Sequence, residues 1–377
     1  MAATLTVSAG PHDRVWCPLQ FRAPETLAPG PYSAIGSDGS SFPLDVEQGG
    51  AAACVVPDLP AGQSCTFRIQ ARSGGSGSAP IEAVDAAGQI SISAGGELVT
   101  RYIYAGVPAR PYFYPMNAPG QIGLTRAFPI EVGAAGETAD HPHHRSLWIA
   151  HGEVNGADNW SEAPGHASTR HESFESVTSG EVSGGFACRA QWLRADGAPI
   201  LTQRLAVRVW AVGGSFRVID FHVDLDATDG AVRFGDTKEG GILSVRVASE
   251  MDVPRTGAIT NSYGAVGEAE TWGKSAHWCD YSGTVGGHAA GLAIMDHPHS
   301  FRHPTHWHVR DYGLMTANPF GYAAFTSGVK DGSHVLAHEK TLSFRYRVVL
   351  YARASDAAFT RDRYLDYVAP PTARFDG

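Results

Sequence analysis

Alternation of apolar and polar residues with a period of two is the feature that most constrains how this chain can fold. Residues 219, 221, 223 and 225 are apolar, and the residues between them are polar. Residues 342–350 repeat the pattern, with Ser343, Arg345 and Arg347 opposite an apolar face. Successive side chains of a β-strand point to opposite faces, so the pattern predicts half-buried antiparallel strands.

The predicted fold class is all-β, with a large antiparallel β-sandwich of two stacked sheets. The 44 glycines and 23 prolines supply turns, and helical periodicity is scarce outside 357–368. No tandem repeat of 20–50 residues is present, which counts against a propeller. We predict a small N-terminal β-sandwich domain at 1–72, a Gly/Ser linker at 73–87, and a large domain at 88–377 that carries the site.

Charge and cysteine content narrow the classes of partner. The net charge is −9 without a long basic run, which argues against nucleic acid and anionic membranes as partners. The N-terminus lacks the basic and apolar regions of a signal peptide, and no apolar run reaches the length of a membrane span. Five widely spaced cysteines suggest reduced thiols and a cytoplasmic location.

Histidines are concentrated in two short stretches that read alike. Both contain His-x-His-x-Arg, once in 141–145 and once in 306–310. In an extended strand, the two imidazoles and the guanidinium of each stretch would share one face. Histidine titrates near neutral pH and binds metals, so this concentration predicts a functional site.

The first stretch continues to Trp160 as DHPHHRSLWIAHGEVNGADNW. Pro142 favours an extended conformation at His141, and the adjacent His143 and His144 are expected to face opposite sides. Farther along, Trp160 beside asparagine and aspartate is typical of a sugar-binding surface. A loop with one or two structural histidines is the alternative.

Two shorter segments carry further candidates. In 236–241, Lys238 and Glu239 precede two glycines that would allow close approach of the backbone to a ligand. Glu239 would act as a base or metal ligand, and Lys238 would stabilise an oxyanion; a solvated turn with an exposed ion pair is the alternative. The segment 268–280 holds Trp272 and Lys274, either at a cleft or as packed side chains.

The fourth segment, 296–321, is dense in histidine, arginine and aspartate. Its strand-like part would place His306, His308 and Arg310 on one face, with Trp307 on the other. One His-x-His is a weak metal signal, and a second unit together with Glu239 strengthens it. Without a metal, the same groups would serve as acid, base and oxyanion donors, so the metal question stays open.

These segments resemble the PmoA-like family. The matching segments are His141–Trp160, Gly235–Gly241, Trp272–Gly283 and Asp296–Gly321, with Arg110–Pro115 and Thr125-Arg126 upstream. The family carries a methane oxygenase label, which a chain without a membrane span does not fit. The resemblance implies carbohydrate processing, with oxidised (3-keto) glycosides as substrates. The large domain also resembles the mutarotase-type supersandwich, which uses His and Glu to move protons on sugars.

We therefore predict a carbohydrate-active lyase or hydrolase that abstracts a proton and eliminates the glycosidic oxygen. A mutarotase-like epimerase and a non-catalytic sugar-binding partner of an oxidoreductase are the alternatives. The expected ligand is a small carbohydrate, no nucleotide cofactor is expected, and a divalent metal ion and a homo-oligomer are left open. The catalytic candidates are His141, His143, Lys238, Glu239, His306 and His308; the substrate-binding candidates are Arg145, His151, Asn155, Trp160, Trp272, Lys274, Arg310, Asp311 and Asn318; the metal candidates are His143, Glu239, His306 and His308.

Overall fold

The computed structural model describes residues 3–72 and 80–376, and strands dominate it. Strands make up 51% and helices 7%, so the predicted all-β class is confirmed. Of the predicted linker at 73–87, residues 73–79 lie outside the described residues, and most of the remainder forms a strand, Ile81–Ala86. The linker prediction is therefore wrong for that second half, because Ile81 is buried in the core of the large domain.

The small domain is a seven-stranded sheet built from both ends of the chain. Its strands are β1 (Thr4–Ser8), β2 (Arg14–Arg22), β3 (Gly30–Gly36), β4 (Ser41–Val46), β5 (Ala51–Leu59), β6 (Ser64–Ala71) and β28 (Thr372–Asp376). Their order is β2-β5-β4-β3-β6-β1-β28. The sheet curls around its own apolar core, so that Phe21 and Phe375 of the two edge strands come within 5.9 Å between ring centroids. Residues 1–72 therefore do not complete this sheet alone.

The large domain holds the remaining strands. They are β7 (Ile81–Ala86), β8 (Gln89–Ala94), β9 (Glu97–Ile103), β10 (Tyr112–Phe113), β11 (Asn117–Ala118), β12 (Ile122–Gly123), β13 (Leu147–Val154), β14 (Ala157–Asn159), β15 (Ser168–Thr178), β16 (Ser183–Leu193), β17 (Pro199–Trp210), β18 (Phe216–Asp226), β19 (Val232–Phe234), β20 (Gly240–Arg246), β21 (Ala258–Asn261), β22 (Trp278–Val285), β23 (His288–Asp296), β24 (His306–Val309), β25 (Leu314–Asn318), β26 (His334–Leu336) and β27 (Thr341–Tyr351).

Two large antiparallel sheets form the sandwich, as predicted. The eleven-stranded sheet runs β24-β25-β20-β13-β10-β9-β8-β7, with β14, β19 and β26 attached at its side, and β11 and β12 form a separate hairpin. The eight-stranded sheet runs β15-β16-β17-β18-β27-β23-β22-β21. Apolar side chains of both sheets meet in one core, where Leu147 of β13 and Phe221 of β18 are at most 1% exposed. The period-two pattern thus places its apolar residues as predicted.

Three short helices accompany the sheets. They are α1 (Gly267–Thr271), α2 (Tyr322–Phe325) and α3 (Ala357–Val368), with a 3-10 helix at Ser249–Met251. The bounds of α3 are those predicted from the sequence, and the Asp356 carboxylate caps it by accepting from the Ala358 amide at 2.9 Å. Across residues 3–72 and 80–376, no helix is long and apolar enough to cross a membrane.

The small domain covers the outer face of the eight-stranded sheet. Ala53 and Val55 of β5 pack there against Trp210 and Val349. A buried ion-pair network adds to this contact, because Asp366 of α3 lies 3.0 Å from the guanidinium of Arg14 in β2. The outer face of the eleven-stranded sheet lies on the opposite side of the sandwich, and the candidate site is built there.

Candidate functional site

A row of polar side chains crosses the outer face of the eleven-stranded sheet. Trp148 of β13 is paired with Ser244 of β20, Ser244 with Thr316 of β25, and Thr316 with His308 of β24. Trp148 Nε1, Ser244 Oγ, Thr316 Oγ1 and His308 Nε2 are buried without a hydrogen-bond partner in the part of the chain that the structure describes. Buried polar groups are normally paired, so a row of four orphaned atoms indicates a floor built for polar ligand groups.

Hydrogen bonds fix the ring of His308 in one orientation. Its Nδ1 lies 2.7 Å from the Lys238 carbonyl oxygen, which only accepts, so Nδ1 donates and Nε2 carries a lone pair. The Asn318 amide also donates to this carbonyl at 3.2 Å and to that of Thr237 at 3.0 Å. Burial lowers the pKa of His308, and the nearby Glu239 carboxylate does not outweigh that effect. At neutral pH His308 therefore presents an unprotonated Nε2.

Lys238 and Glu239 form an ion pair beside His308, and both are nearly half exposed. Burial favours the neutral form of Glu239, but Lys238, His308 and His143 outweigh it and lower the pKa of the carboxyl. Glu239 is therefore ionised at neutral pH. The sequence predicted this pair either at a site or in a solvated turn; the structure places Glu239 within electrostatic range of two predicted histidines, His308 and His143.

The two glycines after Glu239 face neighbouring strands. Gly240 has φ +144°, and a Cβ there would lie 2.8 Å from the Gly152 amide nitrogen. A Cβ on Gly241 would lie 2.5 Å from the Ala317 carbonyl oxygen. The expectation that these glycines allow approach of a ligand is therefore wrong, because they allow close approach of β13 and β25.

The first His-x-His-x-Arg stretch is a turn, which corrects the predicted strand. His141 has φ +42°, and the His144 amide donates to the His141 carbonyl at 2.9 Å. His141, His143 and Arg145 do not share a strand face as predicted. The neighbours His143 and His144 do not face opposite sides either, since their ring centroids are 4.5 Å apart.

The turn builds a column of stacked rings over the sheet. His141 stacks on Tyr312 at 5.2 Å and on His144 at 4.8 Å, and His144 stacks on Trp148 at 5.3 Å. The interplanar angles are 9°, 5° and 18°. This column ties the turn to the row of polar atoms that ends at His308.

Asp140 anchors the turn through two guanidinium groups. It pairs with Arg126 and, at 2.9 Å, with Arg246, and both arginines are fully buried. Burial disfavours its charge, but these arginines outweigh burial and lower the pKa of Asp140. Arg246 also donates to His144 Nδ1 at 3.3 Å. Burial above all lowers the pKa of His144, so this imidazole stays neutral.

His143, which belongs to this turn, lies near Trp160 and within electrostatic range of Glu162 and Glu239. Its ring contacts Trp160 at 6.1 Å between centroids. Burial lowers its pKa to about 4, helped by His141 and Arg110 and opposed by Glu162 and Glu239. His143 is therefore neutral at physiological pH and joins Glu239 and His308 in one electrostatically linked set.

Arg145 is engaged by Glu162 in a two-pronged ion pair, with distances of 2.7 and 2.9 Å. Its guanidinium also lies 5.9 Å from the Tyr112 ring centroid. Nε and Nη2 of Arg145 are thus both committed to Glu162, and the predicted role of Arg145 in sugar binding stays a prediction.

The second His-x-His stretch is a strand, as predicted. In β24, His306 and His308 both contact Phe325, whereas Trp307 is buried in the sandwich core on the other face. Trp272 lies 6.2 Å from the His308 ring and 5.3 Å from that of Phe325. His306 packs against Phe325, and Trp272 closes the side of the site opposite to Trp160.

Other predicted residues lie apart from this set or serve its framework. His151 is fully buried against Phe320 and donates to the Gly235 carbonyl at 2.9 Å, so its predicted sugar contact is wrong. Asn155 forms the turn after β13, where its side chain accepts from the Arg233 amide. Lys274 is exposed on the loop after α1.

Three further candidates are engaged in an ion pair or in hydrogen bonds that involve the backbone. Arg310 pairs with Glu268 at 2.9 Å, and the Asp311 amide donates to the same carboxylate at 2.7 Å. Asn318 holds the loop before Glu239, as described for its bonds to Thr237 and Lys238. Asn318 is therefore a positioning residue rather than a direct contact for sugar.

Within residues 3–72 and 80–376, no group of three or more His, Cys, Asp or Glu side chains is arranged to hold a metal ion. The four metal candidates are not brought together as a ligand set. His308 uses Nδ1 on a carbonyl, and His306 packs among the rings of Tyr322 and Phe325.

Several residues of the site escaped sequence reasoning. They are Tyr112, Asp140, Trp148, Glu162, Ser244, Arg246, Tyr312 and Thr316. Ser244 and Thr316 each interrupt an apolar run, Leu243–Val245 and Met315–Ala317, and such a lone hydroxyl in a buried strand is a usable signal. The Asp140–Arg246 pair joins positions far apart in the chain, which spacing alone does not reveal.

Comparison with protein families gives the membership of the chain. A family model described as "Family of unknown function (DUF6807)" matches residues 89–364, most of the chain. The chain belongs to the DUF6807 family. The DUF6807 region contains the whole candidate site, and its description names no activity. The resemblance to PmoA-like proteins stays a prediction.

Comparison with individual proteins adds little to this family membership. No curated protein matches the chain. Among solved structures, a similar chain is a galactose mutarotase related enzyme from Lactobacillus acidophilus, at 7% identity. The alignment covers 73% of this chain and 99% of that chain, with a TM-score of 0.28. A TM-score this low supports no argument about function.

Acid is expected to destabilise the fold through its buried neutral histidines. Burial lowers the pKa of His151 to about 4, so between pH 6.5 and 4 the unfolded chain binds a proton that the folded chain does not. The free energy that neutral His151 contributes to folding is fully present above pH 6.5 and is lost as pH falls toward 4. At pH 5 the loss amounts to about 2 kcal/mol. Urea unfolding of wild type and His151→Gln at pH 7.5 and 5.0 measures this.

The matched control is His338→Gln, which changes an exposed histidine. His151→Gln should be less pH-dependent than wild type, whereas His338→Gln should follow wild type. Asp252 and Asp280, whose pKa burial raises to about 6, act in the opposite direction in all three proteins. An unchanged pH dependence in His151→Gln would contradict the assignment.

Proposed function

We propose that the protein is a carbohydrate-active enzyme that removes a proton from an oxidised (3-keto) glycoside, with His308 as the base. The observation that carries this proposal is the state of His308, whose Nδ1 is committed to the Lys238 carbonyl while Nε2 is bare. A base must be unprotonated and fixed in orientation at the operating pH, and burial together with this hydrogen bond supplies both.

A 3-keto group makes the chemistry accessible to an imidazole. The carbonyl at C3 acidifies the hydrogen at C2, and Nε2 of His308 takes it as a proton. The electron pair moves to the C3 oxygen, where the Lys238 ammonium stabilises the enolate. The C1–O bond then breaks, the protonated His308 returns its proton to the departing oxygen, and an alcohol and a 1,2-unsaturated 3-keto sugar result.

The surrounding groups suit a hydroxylated ring. Trp272, which is partly exposed, offers an apolar ring surface beside His308, whereas Trp160 is only 3% exposed and closes the opposite end of the row. The orphaned hydroxyls of Ser244 and Thr316 offer hydrogen bonds from the floor. Glu239, ionised beside Lys238, accepts from sugar hydroxyls and keeps the ammonium in place.

Substrate reaches His308 past the ion pair of Lys238 and Glu239. These two side chains are nearly half exposed, whereas His308 Nε2 is shielded from solvent. Both are long and flexible, so a ligand that supplies its own polar groups replaces their mutual contact at low cost.

The test compares 4-nitrophenyl β-D-glucoside with its 3-keto derivative in D₂O. We expect nitrophenol release from the keto compound alone, because the parent glycoside has no acidified C2 hydrogen. Exchange of the C2 hydrogen for deuterium without release would favour the epimerase, which needs no leaving group. Binding of either compound without exchange or release would contradict an enzyme and favour a sugar-binding partner.

A further inference from the structure

A second cleft lies on the other side of the sandwich from the candidate site. It runs between the small N-terminal domain and the outer face of the eight-stranded sheet, with a volume of about 1120 Å³. Small-molecule sites commonly measure about 300–1,000 Å³ and favour the space between domains. This cleft is therefore large enough for a ligand of more than one ring.

The floor of the cleft is a trough across five strands. Cross-strand pairing places Arg345, His222, Ala206, Ala187 and Ser176 in one row over β27, β18, β17, β16 and β15. All five line the cleft. Neighbouring strands lie about 4.8 Å apart, so the row spans about 19 Å. The small side chains of Ala206 and Ala187 leave space in the middle of the trough, and the Arg345 guanidinium lies at one end.

Most charges in the cleft neutralise one another. Arg208 pairs with Glu47 at 3.1 Å, and Arg347 pairs with Asp220 at 2.7 Å. Arg345 differs, because it forms no ion pair with a carboxylate within residues 3–72 and 80–376. Its positive charge is therefore available to an anion.

The surroundings of Arg345 do not satisfy its donors. Its Nη1 donates to His299 Nδ1 at 3.2 Å, and its Nε is buried without a partner. Burial lowers the pKa of the neighbouring His297 to about 4, so this imidazole is neutral and adds no competing charge. A half-buried guanidinium with an unused donor suits a carboxylate, which accepts two parallel hydrogen bonds.

The wall opposite the floor carries groups that bind hydroxyls. Gln20, Asp45 and Gln48 of the small domain line it. The glutamine amides donate to and accept from hydroxyl groups, and the carboxylate accepts from them. Asp45 lies near Gly180, beyond the Ser176 end of the row. Hydroxyl-binding groups and the free guanidinium are thus spread along an elongated cleft.

We propose that this cleft binds a short acidic saccharide, with a uronate carboxylate on Arg345 and sugar hydroxyls along the small-domain wall. The length of the trough favours several linked rings over a monosaccharide. The site does not depend on the proposed activity at His308, since the two lie on opposite faces of the sandwich.

Calorimetric titration of the full chain with trigalacturonate, maltotriose and inorganic phosphate tests the proposal. Wild type should bind trigalacturonate, and maltotriose more weakly. Arg345→Gln should weaken trigalacturonate binding about ten- to a hundred-fold, the usual range for a charge-assisted hydrogen bond. Arg345→Lys keeps the charge but loses the planar fork, so its affinity for trigalacturonate should lie between those of wild type and Arg345→Gln.

The matched control is Arg204→Gln. Arg204 lies on β17, on the same outer face of the eight-stranded sheet as Arg345, but it is already paired with Asp226 at 2.8 Å. It should bind trigalacturonate like wild type. No binding of trigalacturonate to wild type, equal losses in Arg345→Gln and Arg204→Gln, or binding of phosphate alone would each overturn the proposal. Retained binding in His308→Asn would confirm that this site is separate from the candidate active site.

Discussion

Replacing His308 with Asn is expected to lower turnover of a 3-keto-glycoside by about 10²–10⁴-fold, with little change in KM. The asparagine amide takes the place of Nδ1 and still donates to the Lys238 carbonyl, so the loop before Glu239 keeps its anchor. The lone pair of Nε2 is lost, together with the ring contacts to Trp272 and Phe325. Steady-state rates and the pH profile of both proteins measure the effect.

The pH profile separates a catalytic from a structural role for His308. In wild type the rate should fall with acid as His308 is protonated, at a pH well below the usual imidazole range because burial lowers its pKa. His308→Asn should lose this limb. His334→Asn, on β26, should behave as wild type. Unimpaired turnover in His308→Asn would assign the base to another group, with His143 as the next candidate.

Replacing Asp366 with Ala is expected to lower the free energy of unfolding by about 3–5 kcal/mol, the largest loss among the substitutions described. Asp366 lies 3.0 Å from Arg14 and 2.8 Å from Arg363, and all three side chains are at most 6% exposed. Removing the carboxylate leaves two buried guanidinium groups without a counter-charge. Urea unfolding followed by tryptophan fluorescence measures the change.

The same helix offers a control for this change. Asp362 pairs with Arg361 at 2.8 Å, but the arginine is 61% exposed. Exposed pairs contribute about 0–1 kcal/mol, so Asp362→Ala should be close to wild type. A similar loss in both variants would mean that the effect comes from α3 itself rather than from the contact with Arg14.

The fold was largely predictable because the pattern that defines strands is local. Residues 219–225 and 342–350 form β18 and β27 with their apolar residues in the core, and 357–368 forms α3. The composition of the small sheet was not predictable, because the pairing of β1 with β28 joins residues more than 300 positions apart. No local signal carries such a contact.

The candidate site was likewise predictable only where its structure follows from the local sequence. His306 and His308 share a face because their stretch is a strand, so alternation applied to them. It failed at His141 and His143, where Asp140 is held by Arg126 and Arg246 and the chain turns instead. Arg126 also donates to the His141 carbonyl at 2.9 Å, and His141 has a positive φ although the proline after it favours an extended residue.

The pairing of β1 with β28 also sets an order of events during synthesis. β1 leaves the ribosome early, while the strand that covers its open edge is made only after the whole sandwich. Until then one side of β1 presents unpaired backbone groups, which readily recruit other strands. The small domain can therefore complete its sheet only after the sandwich has been made, and a chain cut short before residue 372 would leave β1 as the edge strand in place of β28.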